Sequence, residues 1–297
     1  MDRAALVETA RESIAKGSKS FALASKLFAP DVRARAWLLY SWCRKCDDIA
    51  DGQDHGGALT KVEDPAERLV FLRDMTERAL AGETTGDPAF DALGLVAREC
   101  AIPAQWPRDL IEGFSMDAAD FSPRNEAEML TYCYHVAGVV GLMMAVIMGV
   151  SPDDEDTLKR ANDLGLAFQL ANIARDIRED ADGGRCYVPA EWLAEAGVPP
   201  GDHMKPTHRK AMAGIAQKLA NLSAGYEASA RIGARRLPFR SHWAVLSAAG
   251  IYGDIAREVA RRGEAAWDQR VVTSKAAKAG WVARAWVGAD RKSTRLN

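Results

Sequence analysis

The stretch LGLAFQLANIARDIRED at residues 164–180 has the period of a helix and carries a line of polar side chains. The positions of this line are separated by four, three, four and four residues and share one helix face: Gly165, Gln169, Asn172, Asp176 and Asp180. The remaining positions are mostly apolar, which is typical of a helix buried in a protein core. Polar side chains aligned inside such a helix destabilise the fold unless a ligand or a partner satisfies them. The stretch therefore predicts a core helix with a functional stripe.

A second acidic stripe lies in the sequence RKCDDIAD at residues 44–51. Asp47 and Asp51 are four residues apart, and Asp48 lies three residues before Asp51. Arg44 precedes them by one turn on the same face. Mg²⁺ prefers oxygen ligands and is usually held by carboxylates together with substrate phosphates. Two such stripes facing each other across a helical cavity would form a site for a diphosphate bridged by Mg²⁺. The alternative is that each stripe is a solvated helix face, or, for the second stripe, an ordinary helix end.

Helical patterns dominate the rest of the chain, and the sequence lacks alternating strand patterns between turn pairs. Ser151, with the proline and two acids that follow it, predicts a helix start, and Gly183-Gly184 predicts the end of that helix. Further helices are expected at 32–51, 206–230 and 242–267. We therefore predict one all-α domain of long packed helices over residues 1–297.

Composition and charge exclude several classes of protein. The 297 residues carry 39 basic and 41 acidic side chains, a net charge of −2, which excludes a broadly basic nucleic-acid binder. The most apolar run, residues 136–150, is shorter than the about 20 residues of a membrane-spanning helix and predicts a buried core helix. The five cysteines show no disulfide-rich pattern: Cys43, Cys46, Cys100, Cys133 and Cys186. We therefore expect a reduced, cytoplasmic protein.

The C-terminal segment 274–297 is basic and contains two tryptophans. It has six Lys or Arg residues against one Asp, with Trp281 and Trp286 between them. Basic segments with interleaved tryptophans bind anionic membrane surfaces, so this tail predicts peripheral contact with a membrane. The alternative is a terminal helix packed on the domain.

Four stretches are similar to the squalene/phytoene synthase family, most closely to its bacterial phytoene synthases: residues 17–21, 42–51, 132–141 and 164–189. The resemblance implies a single-domain isoprenoid-synthase fold of long helices around a central cavity. It also implies a Mg²⁺-dependent head-to-head condensation of two geranylgeranyl diphosphates, through prephytoene diphosphate, to phytoene with release of diphosphate. This reaction is the first committed step of carotenoid biosynthesis. Mn²⁺ is expected to be able to replace Mg²⁺, and no NADPH is expected.

The resemblance also assigns roles to individual residues. The residues expected to act in catalysis are Asp47, Asp51, Asp176, Asp180, Tyr132 and Tyr252. Those expected to hold the metal are Asp47, Asp48, Asp51, Asn172, Asp176 and Asp180. Those expected to bind substrate are Ser18, Lys19, Ser20, Arg44, Gln169, Arg185, Arg270, Val136, Ala137 and Ser25. In this last set Val136 and Ala137 would line the prenyl channel, and the small Ser25 would leave room for a twenty-carbon tail. Each assignment has an ordinary alternative, namely a helix cap, an ion pair or core packing.

Three other functions remain open on the sequence. A squalene or dehydrosqualene synthase would use farnesyl diphosphate instead. A non-catalytic scaffold member of the fold would be expected to lack the acids. A nucleotide pyrophosphohydrolase would explain the acids but not residues 132–141. The expected partners are geranylgeranyl diphosphate, a membrane surface and other carotenoid-pathway enzymes, and nucleic acid is not expected.

Overall fold

The computed structural model describes residues 1–17, 24–52 and 64–293, and these residues form helices and turns without a strand. The α-helices within them are α1 Arg3–Gly17, α2 Pro30–Asp51, α3 Pro65–Leu80, α4 Pro88–Cys100, α5 Gln105–Ala118, α6 Glu126–Cys133, α7 Val139–Ile147, α8 Glu155–Asp182, α9 Ala190–Glu195, α10 Arg209–Ala234, α11 Phe239–Arg262 and α12 Lys275–Ser293. A π-helical segment, Tyr134–Gly138, joins α6 to α7, and a 3₁₀ turn, Ser25–Leu27, precedes α2. The predicted all-α class is confirmed, and the single domain over residues 1–297 stays a prediction.

Local sequence sets most helix ends. A proline occupies the first turn of α2, α3 and α4, where its missing N–H removes no hydrogen bond. The helix α8 begins at Glu155, four residues after the predicted start at Ser151. The reason is that the Asp154 carboxylate, and not the Ser151 hydroxyl, accepts the N–H of Thr157 and caps the helix. The helix α11 likewise begins and ends a few residues before its predicted bounds.

The long helix α8 lies in the middle of the bundle and packs against α7, α10 and α11. One apolar cluster joins α8 to α10 and α11, with Leu170, Leu219 and Val259 among its buried members. A second cluster joins α2, α4 and α7 around Trp42 and Phe90. A third, smaller cluster contains Phe28 and Leu237. The helices α2 and α8, which carry the acidic stripes, thus belong to different parts of the core.

Gly165, the first position of the α8 stripe, is required by packing. A Cβ atom at this position would overlap the carbonyl oxygen of Ala137 in the π-helical segment. Gly141 on α7 approaches the carbonyl oxygen of Ala161 in the same way. These two glycines allow α8 to pack directly against the backbone of the run from α6 to α7. This close contact fixes the position of α8, and with it the direction in which the polar stripe faces.

The run Glu126–Ile147, which comprises α6, the π-helical segment and α7, is long and apolar enough to cross a membrane by length and composition. Half of its most apolar window is buried inside the bundle. Val139, Met143 and Ile147 are at most 1% exposed and belong to the core. This packing is that of a core helix, as predicted for residues 136–150.

Candidate active site

On α2 the acidic stripe lies beside Arg44. This arginine forms ion pairs with Asp47 at 3.0 Å and with Asp48 at 2.5 Å. Burial and the neighbouring charge of Asp51 raise the pKa of Asp47 to about 6, against the opposing effect of Arg44. Burial also raises the pKa of Asp51. The ion pair that is the alternative role of Asp48 is present, and the negative charge of the two neighbouring carboxylates is disfavoured relative to an exposed aspartate.

On α8 the stripe is held by arginines from two places in the chain. Arg175 donates to both carboxylate oxygens of Asp176, at 2.7 and 2.5 Å. Arg270, which follows α11, reaches Asp176 at 2.9 Å and Glu179 at 3.4 Å. One turn further along α8, burial and the charge of Asp176 raise the pKa of Asp180 to about 7. Asp176 is therefore paired, whereas Asp180 is left with a disfavoured negative charge.

Arg185 links the two stripes. It follows the glycine pair that ends α8, and its guanidinium lies 3.7 Å from the carboxylate of Asp51 on α2. The charge of the same guanidinium opposes the rise in the pKa of Asp180. Because one cation acts on both carboxylates, Asp51 and Asp180 face the same interior space.

Asp117 on α5 is a member of the site that the sequence did not indicate. Its carboxylate accepts the hydroxyl of Tyr187 at 2.7 Å and the hydroxyl of Tyr132 at 3.2 Å. Burial raises its pKa, and the two phenols and the charge of Arg185 oppose the rise. Asp117 and Asp120 are three residues apart, a spacing also found in the α2 stripe, but a single acid pair at a helix end is usually a solvated face, so this weak signal does not distinguish Asp117 from a surface carboxylate.

Tyr132 lies in the middle of an aromatic stack. Its ring is parallel to that of Tyr187, with centroids 4.7 Å apart, and to that of Phe121 on the other side at 5.5 Å. Burial raises the pKa of Tyr132 well above its ordinary value, so its phenol stays protonated and donates to Asp117. The stack presents aromatic faces beside the acidic stripes.

Tyr252 on α11 forms a second aromatic surface next to α8. Its ring stacks on Phe168 with a centroid distance of 4.2 Å. Burial raises the pKa of Tyr252, and the nearby charge of Arg175 opposes the rise. Since Arg175 also holds Asp176, this aromatic pair lies beside the α8 stripe.

Two adjoining cavities flank the segment that follows α8. They share Arg185, Cys186 and Tyr187 in their walls. The first is also lined by Ile173, Ile177, Asp180, Val188 and His203, and the second by Asp117, Asp120, Phe121, Ser122 and Gly184. Both cavities thus contain carboxylates next to the Arg185 guanidinium.

The remaining predicted site residues lie in different surroundings. Asn172 donates to the side-chain oxygen of Gln169 at 3.4 Å, and both are half-buried on the α8 stripe. Val136 and Ala137 are half-buried in the π-helical segment. Ser25 is fully buried and its hydroxyl accepts the indole N–H of Trp37 at 2.9 Å. The predicted residues Ser18, Lys19 and Ser20 lie outside the described residues.

A divalent cation fits the donor set of the two stripes. Among the described residues, no three His, Cys, Asp or Glu side chains are grouped closely enough to hold a metal ion, and arginines occupy the space between several carboxylates. The acids of both stripes are nevertheless oxygen donors, and burial disfavours the charge of Asp47, Asp51 and Asp180. Hard cations such as Mg²⁺ take such ligands and would stabilise that charge.

Comparison with known proteins gives one consistent family. The family model for squalene/phytoene synthase matches residues 14–277. A phytoene synthase from Pseudescherichia vulneris is 45% identical over 280 residues, covering 94% of this chain and 90% of the relative. A 15-cis-phytoene synthase from Pantoea ananas is 45% identical over 276 residues, covering 92% and 89%. One from Paracoccus sp. is 46% identical over 275 residues, covering 93% and 89%.

Solved structures share the fold at lower sequence identity. A dehydrosqualene synthase in complex with ligand superposes with a TM-score of 0.86 at 24% identity, over 97% of this chain and 98% of that one. A squalene synthase from Alicyclobacillus acidocaldarius gives a TM-score of 0.77 at 23% identity, over 87% and 94%. The fold is the all-α isoprenoid-synthase fold. Together with the family model and the relatives, this shows that the chain belongs to the squalene/phytoene synthase family.

Proposed function

We propose that this chain is a prenyltransferase that condenses two geranylgeranyl diphosphates head to head, through prephytoene diphosphate, to phytoene with release of diphosphate. The observation that carries the proposal is the 45–46% identity to phytoene synthases over about nine tenths of the chain. The two acidic stripes, joined by Arg185, support it because they supply the ligands and the cation that a diphosphate needs. The reaction would be the first committed step of carotenoid biosynthesis.

The two stripes would bind the diphosphate end of the substrates. The residues proposed to hold Mg²⁺, or Mn²⁺ in its place, are Asp47, Asp48, Asp51, Asn172, Asp176 and Asp180. When bound, the metal supplies Lewis acidity that stabilises the charge of the departing diphosphate. Arg44, Arg185 and Arg270 would exchange their carboxylate partners for diphosphate oxygens, and such charge-assisted hydrogen bonds are strong in a partly buried site.

The aromatic surfaces would face the carbon cation that forms when diphosphate leaves. The outer ring faces of the stack that contains Tyr132, and the face of Tyr252 that is not stacked on Phe168, carry negative charge density and would stabilise a cation without reacting with it. Asp117 would hold the phenols of Tyr132 and Tyr187 in place, so that the stack keeps its orientation through the reaction.

The remaining assignments follow the resemblance. Gln169 would orient groups next to the metal, and Ser18, Lys19 and Ser20 would bind diphosphate. Val136, Ala137 and Ser25 would border the prenyl channel, where the Ser25 hydroxyl is fixed by Trp37. We propose a cytoplasmic location with peripheral membrane contact, in the company of other carotenoid-pathway enzymes.

One incubation tests the proposal. The purified chain is mixed with geranylgeranyl diphosphate and Mg²⁺ without NADPH, and the lipid product is identified by chromatography and mass spectrometry. Phytoene is expected, and its formation should stop when the metal is chelated. Dehydrosqualene from farnesyl diphosphate, with no product from geranylgeranyl diphosphate, would contradict the substrate. Nucleotide hydrolysis without a prenyl product would contradict the reaction itself.

A further inference from the structure

The corner between α10 and α11 exposes apolar side chains among arginines. Residues 231–240 read RIGARRLPFR, with four arginines and no acid. Ile232 is 50% exposed and Phe239 is 38% exposed, although Leu237 between them is buried. Exposed apolar side chains that are grouped in one patch mark contact surfaces, so the grouping of these residues with cations indicates a contact surface.

The C-terminal helix α12 extends this corner. Its Trp281 is docked on α11, because a Cβ atom at Gly250 would overlap the indole and the indole N–H donates to Asp254. The guanidinium carbons of Arg231 on α10 and Arg284 on α12 lie 5.6 and 5.4 Å from the centre of the same ring. The terminal helix is thus packed on the domain, and this packing brings the end of α10 to the side chain of Trp281 in the first half of α12.

The outward side of α12 is apolar where it adjoins the corner. Trp286 is 47% exposed and Val287 is 45% exposed. Trp243 on α11 donates its indole N–H to the carbonyl of Val282 at 2.8 Å, and its ring lies 6.4 Å from that of Phe239. The start of α11 therefore lies against α12 about one turn from Trp286. Of the two tryptophans in the tail, one serves packing and the other faces outward.

We infer that this corner, formed by Ile232, Arg235, Phe239, Arg240, Trp286 and Val287, docks the protein on an anionic phospholipid surface. Tryptophan and phenylalanine partition into the interface of a bilayer, and arginines beside them bind anionic headgroups. Three arginines of the bend have protein partners: Arg231 pairs with Glu227 at 2.6 Å, Arg236 pairs with Asp156 at 2.6 Å, and Arg240 donates to the carbonyl of Leu27 at 2.8 Å. These contacts hold the bend in shape, and Arg235 is exposed.

The position of the corner suits the proposed reaction, on which this part of the argument rests. Arg240 fixes the turn that precedes α2, whereas Asp51 lies at the other end of that helix. The 22 residues of α2 separate the two ends by about 30 Å. Phe28 and Leu237 belong to an apolar cluster beneath the corner. Prenyl tails anchored by diphosphate at the acidic end would point toward this end, where a hydrocarbon product could pass into lipid.

Vesicle binding of the full chain tests the inference without any catalytic readout. Sedimentation with phosphatidylcholine vesicles is compared with sedimentation with vesicles that also contain phosphatidylglycerol. We expect binding to the anionic vesicles only, weakened by added salt because headgroup charges are screened. The double variant Trp286→Ser with Val287→Ser should bind about tenfold more weakly. Arg235→Gln should bind less strongly than the native chain by a smaller factor.

Two controls keep the result interpretable. Val70→Ser on α3 removes another apolar side chain that is 65% exposed but lies away from the corner, and it should bind vesicles like the native chain. Thermal unfolding checks that each variant is folded. A blue shift of tryptophan fluorescence on vesicle addition should be lost in Trp286→Phe.

Equal binding of the Val70→Ser and Trp286→Ser/Val287→Ser variants, or no binding of the native chain to anionic vesicles, would overturn the inference. Self-association that the corner variants abolish, without lipid binding, would instead assign the corner to a protein contact. None of the corner residues belongs to the proposed diphosphate site, so we expect the corner variants to form phytoene in detergent, and the proposed activity and the docking surface can fail separately.

Discussion

The two acidic stripes have the same spacing of carboxylates but are neutralised differently. On α2 the cation is Arg44, which lies on the same helix within one turn of Asp48. On α8 the cations are the adjacent Arg175 and the remote Arg270, which lies 94 residues beyond Asp176. The α2 stripe is therefore organised by local sequence, whereas the α8 stripe depends on how the C-terminal part of the chain folds back.

Each of the two stripes contains one carboxylate whose negative charge is poorly balanced by the arginines around it. Each helix has one carboxylate in close contact with arginine, Asp48 or Asp176, and another whose pKa is raised to about 6 or 7, Asp47 or Asp180. Arg44 reaches Asp47 as well, yet burial and Asp51 outweigh it. Partly buried negative charges of this kind are less well stabilised than exposed ones. A bound divalent cation would offset the negative charges of Asp47 and Asp180, and for this reason we interpret the two helices as parts of one site.

The largest effect is expected when an acid of either stripe is neutralised. Asp47→Asn and Asp180→Asn should each lower kcat by on the order of 10²–10³-fold, because each removes a charge that balances the cation at the departing diphosphate. Steady-state formation of phytoene measures the change. Asp182→Asn, at the exposed end of α8, is the matched control and should keep native activity. A large loss on one helix only would show that the stripes do not share one site.

A smaller effect is expected for the remote arginine. Arg270→Gln removes the ion pairs to Asp176 and Glu179 and should lower kcat/KM by about 10–100-fold, since the variant loses both a diphosphate ligand and the partner that orients Asp176. Arg261→Gln is the control, because Arg261 is 71% exposed and pairs only with Glu258 among the described contacts. If Arg270→Gln kept the kcat/KM of the native chain, Arg270 would not belong to the site, which would then consist of residues on α2 and α8.

The sequence predicts those parts of the site that depend on local spacing and misses those that depend on distant parts of the chain. The i,i+4 spacing of Asp47 with Asp51 and of Asp176 with Asp180 is local, so the stripes could be found from the sequence. The pairing of Arg44 with Asp48 is also local and was an open alternative. The all-α class of the fold could be predicted because helical patterns run along most of the sequence and alternating strand patterns are lacking.

The parts that escaped prediction depend on long-range packing. Asp117 joins the site because α5 brings it under two phenols, 15 and 70 residues away in the chain. Gly165 matches the stripe by spacing, yet its role is close contact with Ala137. The basic tail was ambiguous because its two tryptophans differ: Trp281 docks on Gly250 and Trp286 faces outward, which only the packed structure distinguishes.

Stability without metal should depend on pH through the acids of the stripes. Folding raises the pKa of Asp180 from an ordinary value near 3.8 to about 7, so the folded state binds the proton more tightly. The stabilisation this gives is complete below pH 4 and is lost as the pH rises to about 7, by at most about 4 kcal/mol. Asp180→Asn should therefore raise the unfolding temperature of the metal-free protein at pH 8 and change it little at pH 4.

Thermal unfolding in a chelator at several pH values measures this difference. Asp182→Asn again serves as the control, and its unfolding temperature should follow that of the native chain at every pH. With added Mg²⁺ at pH 8, the native chain should unfold at a higher temperature than Asp180→Asn. The reason is that the native carboxylates bind the cation more tightly than those of the variant do. If the difference in unfolding temperature between Asp180→Asn and the native chain were the same at pH 4 and pH 8, the raised pKa of Asp180 would be contradicted.

The smallest effect concerns Asp117, which belongs to neither stripe. Tyr187→Phe removes the 2.7 Å hydrogen bond to this buried carboxylate but keeps the aromatic stack on Tyr132. We expect the free energy of unfolding to fall by about 1–3 kcal/mol, because a buried acceptor loses one of its two phenol donors. Urea unfolding measures the change, and Tyr226→Phe on α10 is the control for loss of a half-buried hydroxyl. If Tyr187→Phe left stability and product formation untouched, Asp117 would be no part of the framework that orients the aromatic stack beside the two stripes.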